Sequence, residues 1–388
     1  MKKTIPQGWS LICTHMATSE SFSTNNVSLR TFFPTPKYNG TSTYLKGVYI
    51  MALPKVIAKV RSDGQYGDIQ TNPITTRVYF VNPNPDGGSV GVLDARTNRI
   101  IASVNVGRGP YHLGINPQTN RIYVPNFRDK TVSVINGRTN RLIKTIKVGM
   151  YPGSICIHIR TNLIYVTTFR TLCVIDGTTN RVRTTILFKG RPSQIIINEL
   201  TNRIYVTNTV KDTVSVINGN TQAVIATIKV GSNPVIPPAI NTITNRIYVA
   251  NNLSRFLSVI DGRTNKLLKN VQLGRLQSEV VVNPRTNRIY VISAQVASAG
   301  KLFMINGSTN KIISTMVIPD ASSILINPIT NHLFISDTDK NMTSVYDAST
   351  LKKIVVFPSV SGNIALNSRT NRLYVRSESS ITVIQDAV

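Results

Sequence analysis

The string Thr-Asn-Arg-Ile-Tyr-Val, with minor variation, returns along this chain about every 42 residues. Its central aromatic falls at Tyr79, Tyr123, Tyr165, Tyr205, Tyr248, Tyr290, Phe334 and Tyr374. A fixed period of that size marks a repeat architecture, in which each unit buries its apolar faces against its neighbours because it has no closed core of its own. The usual division of a 388-residue chain into separate domains therefore does not apply.

Residues 110–149 show the unit most cleanly. Residues 111–116 read as a first strand, and Pro117-Gln118-Thr119-Asn120 as a turn. Residues 121–124 read as a second strand, 126–130 as a polar loop and 131–136 as a third strand. The turn Gly137-Arg138-Thr139-Asn140 then leads to a fourth strand at 142–148. Alternation, β-branched content and Asn/Gly/Pro punctuation all favour strands, and no window carries a helical period. Four short antiparallel strands in such a repeat make a β-propeller blade. Other repeat classes fit poorly. Ankyrin and tetratricopeptide units need helices, the only tryptophan (Trp9) lies outside the array, and Gly-Gly occurs only at Gly87-Gly88.

The predicted fold is all-β, a propeller of four-stranded antiparallel blades. Eight first strands are counted, and the last repeat ends after its third. Lys55-Val56-Ile57-Ala58-Lys59-Val60 reads like the fourth strand Val224-Ile225-Ala226-Thr227-Ile228-Lys229-Val230. It would supply the missing strand, close the ring and remove an exposed sheet edge. The expectation is eight blades over residues 54–388, with seven as the alternative. Residues 1–53, rich in Ser, Thr and Asn, show no repeat and read as a flexible extension or an assembly arm, so a homo-oligomer through this arm is one expected partner.

Strings such as Thr201-Asn202-Arg203-Ile204-Tyr205-Val206-Thr207-Asn208, followed by Thr213-Val214-Ser215-Val216-Ile217-Asn218-Gly219, resemble the YVTN β-propeller repeats of surface-layer-type proteins. The resemblance covers about residues 54 to 388. It implies an exported or surface-associated binding or structural module, with seven as the commoner blade number.

The formal charge of +27, from 44 basic and 17 acidic residues, favours polyanionic partners. The first–second and third–fourth turns of a blade emerge on one face. An inner set of Arg77, Arg121, Arg203, Arg246, Arg288 and Arg372 and an outer set of Arg99, Arg141, Arg181, Lys266 and Lys311 would form two basic rings there. These residues would either brace neighbouring turns or bind phosphate and carboxylate collectively. Aromatic interleaving reads as sparse, with Phe127 and Phe169 on loops of the opposite face.

Catalytic signals are thin. His15, His112, His158 and His332 are scattered, and no Cys/His spacing suggests a metal site. Cys156 and Cys173 fall two strands apart, roughly 9–10 Å, too far to bridge one another. The axial mouth, where first strands and their preceding loops converge, should include Tyr111, His112, Gln194, Gln277 and Glu279. One carboxylate among them gives little basis for acid–base chemistry.

The sequence reading is therefore a non-enzymatic, surface-associated binding or assembly module without cofactor or metal. Its basic face would take an anionic polymer, either cell-wall glycan or nucleic acid, or a neighbouring subunit. The alternatives are a nucleic-acid-binding propeller and a lactonase- or lyase-like enzyme using the axial mouth. Met1-Lys2-Lys3 is not followed by a continuous apolar segment, and no stretch approaches the roughly 18–20 residues of a membrane span. An extracellular or cell-surface location is expected from the resemblance, with the cytoplasm as the alternative.

Overall fold

A computed structural model describes residues 53–62, 67–274, 276–295, 298–318 and 321–386. The proposed arm lies outside the described residues, apart from Leu53. Eight four-stranded antiparallel sheets follow one another around a ring, and in seven of them the strands lie in chain order from the axis outwards. Blade 1 is typical, with Ile69–Asn72 innermost, then Arg77–Asn82, Ser89–Asp94 and Arg99–Asn105.

Blade 8 takes its outer strand from the other end of the chain. Lys55–Arg61 runs antiparallel to Ser380–Gln385, from the pair Lys55↔Gln385 to Arg61↔Ser380. The expected closure and the count of eight blades therefore hold. A second tie lies beside the seam. The fully buried Asp386 accepts from Asn327 Nδ2 (2.6 Å) and Thr330 Oγ1 (2.6 Å), and its Oδ1 pairs with His332 Nδ1 at 2.6 Å. His332, which stands where other repeats carry Arg, thus joins the C-terminal segment to blade 7.

The core lies between blades. Every recurring aromatic, from Tyr79 to Tyr374, is fully buried. Tyr123, Val132 and Val134 of blade 2 pack against Ile155, Ile157, Ile164 and Val166 of blade 3, and equivalent clusters recur around the ring. Two of the tyrosine hydroxyls reach the next blade: Tyr290 Oη donates to the Ala348 carbonyl at 2.7 Å and Tyr79 Oη to the Gly137 carbonyl at 3.4 Å.

The turn residues follow the motif. The Asn of nearly every Thr-Asn pair sits at a left-handed φ of 50–58°, including Asn98, Asn120, Asn140, Asn202, Asn287 and Asn331. Asn tolerates this region better than most residues do. Gly137 explains the recurring Ile-Asn-Gly: a Cβ there would lie 2.3 Å from Asn120 Oδ1. Most outer strands carry one β-bulge at a common register, for example at Ile101, opposite Val92 and Leu93, and at Ile143, opposite Val134 and Ile135. Such bulges twist an exposed edge away from pairing with another sheet.

Candidate functional site at the axial mouth

Seven of the eight innermost strands end on the same residue type, and this gives a register. Asn72, Asn116, Asn198, Asn241, Asn283, Asn327 and Asn367 are fully buried, and His158 takes the place in blade 3. Their side-chain oxygens accept backbone N–H groups two or three residues on, as in Asn116 with Gln118 (3.0 Å) and Thr119 (3.2 Å). His158 does the same through Nδ1 to Thr161 N at 3.4 Å. The amide nitrogens reach the next blade. Asn72 donates to Asn120 (3.1 Å), Asn116 to Asn162 (2.8 Å), Asn198 to Asn245 (2.8 Å) and Asn241 to Asn287 (2.8 Å). This end of the axis is a ring of asparagines whose polar atoms are almost all satisfied.

Four residues before each of these positions lies a second ring, at the opposite end of the innermost strand. It consists of Asp68, His112, Ser154, Gln194, Pro237, Glu279, Ser323 and Asn363. Positions separated by an even number along a strand share a face, so this ring points the same way as the asparagines, towards the next blade. The hydrogen bonds agree. Asp68 Oδ2 accepts from Leu113 N at 3.2 Å, and Glu279 Oε2 makes the same contact with Ile324 N at 2.6 Å. Gln194 Nε2 donates to the Val235 carbonyl, and Asn363 Nδ2 to that of Gly67, both at 3.0 Å.

Satisfaction is incomplete here. Asp68 Oδ1, His112 Nδ1, Ser154 Oγ, Gln194 Oε1 and Ser323 Oγ are buried without a hydrogen-bond partner. Native proteins pair the large majority of buried polar side-chain atoms, so these five are candidates for a water or ligand partner, although the buried hydroxyls of Tyr123, Tyr165, Tyr205, Tyr248 and Tyr374 are unpaired as well. Burial also sets the protonation. It raises the Asp68 carboxyl to about 8, against the opposing bonds from Leu113, Gln70 and Ile69 and the Arg376 charge. It raises Glu279 to about 8 against the Ile324 N–H bond, and it lowers His112 to about 4. Near pH 7 the ring is therefore largely uncharged, with two carboxylic acids able to donate and an imidazole able to accept. A fixed charge that acts on Asp68 is Arg376, almost fully buried, which donates to the Val81 carbonyl and to Asn82 Oδ1 (2.6 Å) with its guanidinium 4.9 Å from the Phe80 ring centroid.

Of the five expected mouth residues, His112, Gln194 and Glu279 belong to this ring. Gln277 does not: it is fully buried and accepts from Asn251 N (3.2 Å), bracing the blade 5 loop. Tyr111 points its exposed ring at Phe127. Asp68, Ser154, Ser323 and Asn363 escaped the sequence reading, although counting back from the terminal Asn of each first strand finds them all. Among the described residues no three potential metal ligands converge.

Both expected basic sets stand at the asparagine end. The inner arginines Arg77, Arg121, Arg203, Arg246, Arg288 and Arg372 are half-buried. Arg77 donates to the Gly137 carbonyl and to Asn140 Oδ1 (3.0 Å) of the next blade, and Arg372 to the Ala95 carbonyl (2.7 Å). Arg203 bonds carbonyls of its own turn, those of Thr201 (3.4 Å) and Asn202 (3.3 Å). Arg99, Arg141, Arg181, Lys266 and Lys311 are exposed.

No family model matches the chain, and no curated protein matches it. Among solved structures it is similar to the dihydro-heme d1 dehydrogenase NirN in complex with DHE. That match has a TM-score of 0.64 and 14% identity over 77% of this chain and 67% of that one. It is also similar to Kuenenia stuttgartiensis hydrazine synthase, with a TM-score of 0.58 and 16% identity over 89% of this chain and 100% of that one. At these identities the likeness establishes the eight-bladed propeller fold alone. The expectation of a surface-associated binding or assembly module, with a basic face for an anionic polymer or a neighbouring subunit, is corrected by these neighbours, one of which is in complex with a ligand. Among the described residues no helix is long and apolar enough to cross a membrane.

Proposed function

We propose that this protein is a ligand-binding propeller that receives a small, polar, largely uncharged molecule at the axial ring. The observation that carries the proposal is the set of five buried, unpaired polar atoms on Asp68, His112, Ser154, Gln194 and Ser323. A ligand bearing several hydroxyl or amide groups would supply both the donors and the acceptors they lack. The named ligand complex among the neighbours is compatible with this reading. No chemical step is assigned to the site.

A thermal-shift panel of polyols, amides and carboxylic acids tests the proposal. A ligand should raise the melting temperature of the wild type but not that of the Ser154→Val/Ser323→Val double variant, which fills the ring with methyl groups. Equal shifts in both proteins would place the ligand elsewhere. The repeated Thr-Asn-Arg-Ile-Tyr-Val strings also support kinship with YVTN-type propellers. An extracellular placement would follow from that kinship, and fractionation of the producing cells checks it.

A further inference from the structure

The face that carries the axial mouth also bears a row of four aromatic rings, brought together from the loops and blade connectors of blades 2 and 3. Tyr111 meets Phe127 edge-on at 6.5 Å, Phe127 stacks on Tyr151 at 4.9 Å, and Tyr151 meets Phe169 edge-on at 6.1 Å. Tyr111, Tyr151 and Phe169 are 39%, 44% and 45% exposed. Large apolar side chains that are both contiguous and exposed mark a contact site, whereas scattered ones do not.

The backbone holds this row at a cost. Tyr151 has φ 53°, in the left-handed region. Corresponding connectors place Gly109 (φ 65°) and Asn233 (φ 58°) there, residues suited to that region, and one other places the bulky Leu276 (φ 55°). A bulky residue in this conformation is an outlier that persists where the surroundings impose it. Here it sets the tyrosine ring between Phe127 and Phe169.

Charge selects the class of partner. Arg128 and Arg170, exposed beside Phe127 and Phe169, form no ion pair among the described residues. The one carboxylate on these loops, Asp129, is already held by Arg108, through Nε at 2.6 Å and the backbone N–H at 2.7 Å. The strip thus offers aromatic surface and positive charge but no free carboxylate to accept sugar hydroxyls.

We propose that Tyr111, Phe127, Tyr151 and Phe169 form a stacking strip for planar aromatic anions, with the anionic group met by Arg128 and Arg170. The strip is separate from the axial ring and does not depend on it.

Anilinonaphthalene sulfonate serves as the probe, its uncharged relative phenylnaphthylamine as the charge control and cellobiose as a neutral-sugar competitor. The sulfonate should bind the full chain with one dominant site and more tightly than the amine. Tyr151→Gly should weaken it about tenfold, the scale of one lost aromatic contact. Glycine relieves the left-handed backbone, so this variant should melt no lower than the wild type. Phe169→Ser, at an exposed position, should weaken the probe similarly and provides a second reading. Arg128→Ala/Arg170→Ala should abolish the preference for the sulfonate over the amine. The proposal is overturned if Tyr151→Gly and Phe169→Ser leave the affinity unchanged, if both probes bind the wild type equally, or if cellobiose displaces the sulfonate. Loss of probe binding in Glu279→Gln with retention in Tyr151→Gly would place the probe in the axial ring and likewise overturn the strip, without touching the ring's own assignment.

Discussion

The two ends of the innermost strands follow opposite rules. At one end a single residue type recurs in seven of the eight blades, fully buried, and most of its polar atoms are spent on its own turn or on the next blade. At the other end the same strands present Asp68, His112, Ser154, Gln194, Pro237, Glu279, Ser323 and Asn363, and five polar atoms are left without a partner. Repetition on the first ring is what a closed scaffold requires, since every blade must present the same surface to its neighbour. Diversity on the second has no such cause, because its bonds to the next blade are made by a different side chain in each blade where they occur. In a repeat protein the ligand site is to be sought where equivalent positions differ.

If that contrast is right, truncation should damage the repeated parts most. Tyr123→Ala empties an inter-blade cluster and should cost about 3–5 kcal/mol, read from the denaturation midpoint. Asn198→Ala removes bonds to Leu200 N, Thr201 N and Asn245 Oδ1 and should cost about 1–3 kcal/mol. A loss near zero for Asn198→Ala would erase the distinction between the two rings.

The mouth should answer to pH instead. A carboxyl near 8 in the folded protein and near 4 when unfolded keeps its proton in the fold after the unfolded chain has released it. The folded state then binds more protons than the unfolded one, so stability falls as pH rises from about 4 to about 8. Glu279→Gln and Asp68→Asn should each remove part of that fall, making the variants more stable than the wild type at pH 8 but not at pH 4. His112 works in the other direction. Its folded value near 4 lies below the ordinary 6.5, so its contribution is full above pH 6.5 and is lost as pH falls towards 4. His112→Gln should therefore flatten the acid side of the profile, as thermal melts across this range would show.

The smallest expected effect is at Ser154 and Ser323. Replacing either with Ala removes a hydroxyl that bonds nothing, so stability should stay within about 0.5 kcal/mol of wild type. Paired with a clear loss of ligand response, that result would sharpen the contrast between the rings.

Much of the fold was legible because it repeats. The spaced aromatics counted the blades, and the likeness of Lys55-Val56-Ile57-Ala58-Lys59-Val60 to another outer strand exposed the closure. The site was only partly legible. His112, Gln194 and Glu279 were visible as polar residues near the start of a first strand, but Gln277, just two residues before Glu279, turns away into the blade 5 loop. Asp68 and Ser323 look like ordinary loop residues until the strands are aligned on their terminal Asn. The aromatic strip was read as sparse because Tyr111, Phe127, Tyr151 and Phe169 are far apart in sequence and meet only through the ring. Whether the motif arginines brace or bind was also beyond the sequence, since only geometry shows Arg77 and Arg372 on neighbouring carbonyls.

The most direct test is a high-resolution crystal structure of the protein at pH 7 with a ligand that raises its melting temperature. The ligand is expected in the axial ring, with its polar groups within hydrogen-bond distance of Asp68 Oδ1, His112 Nδ1 and Ser154 Oγ. A ring holding only water, with the ligand bound elsewhere, would contradict the account.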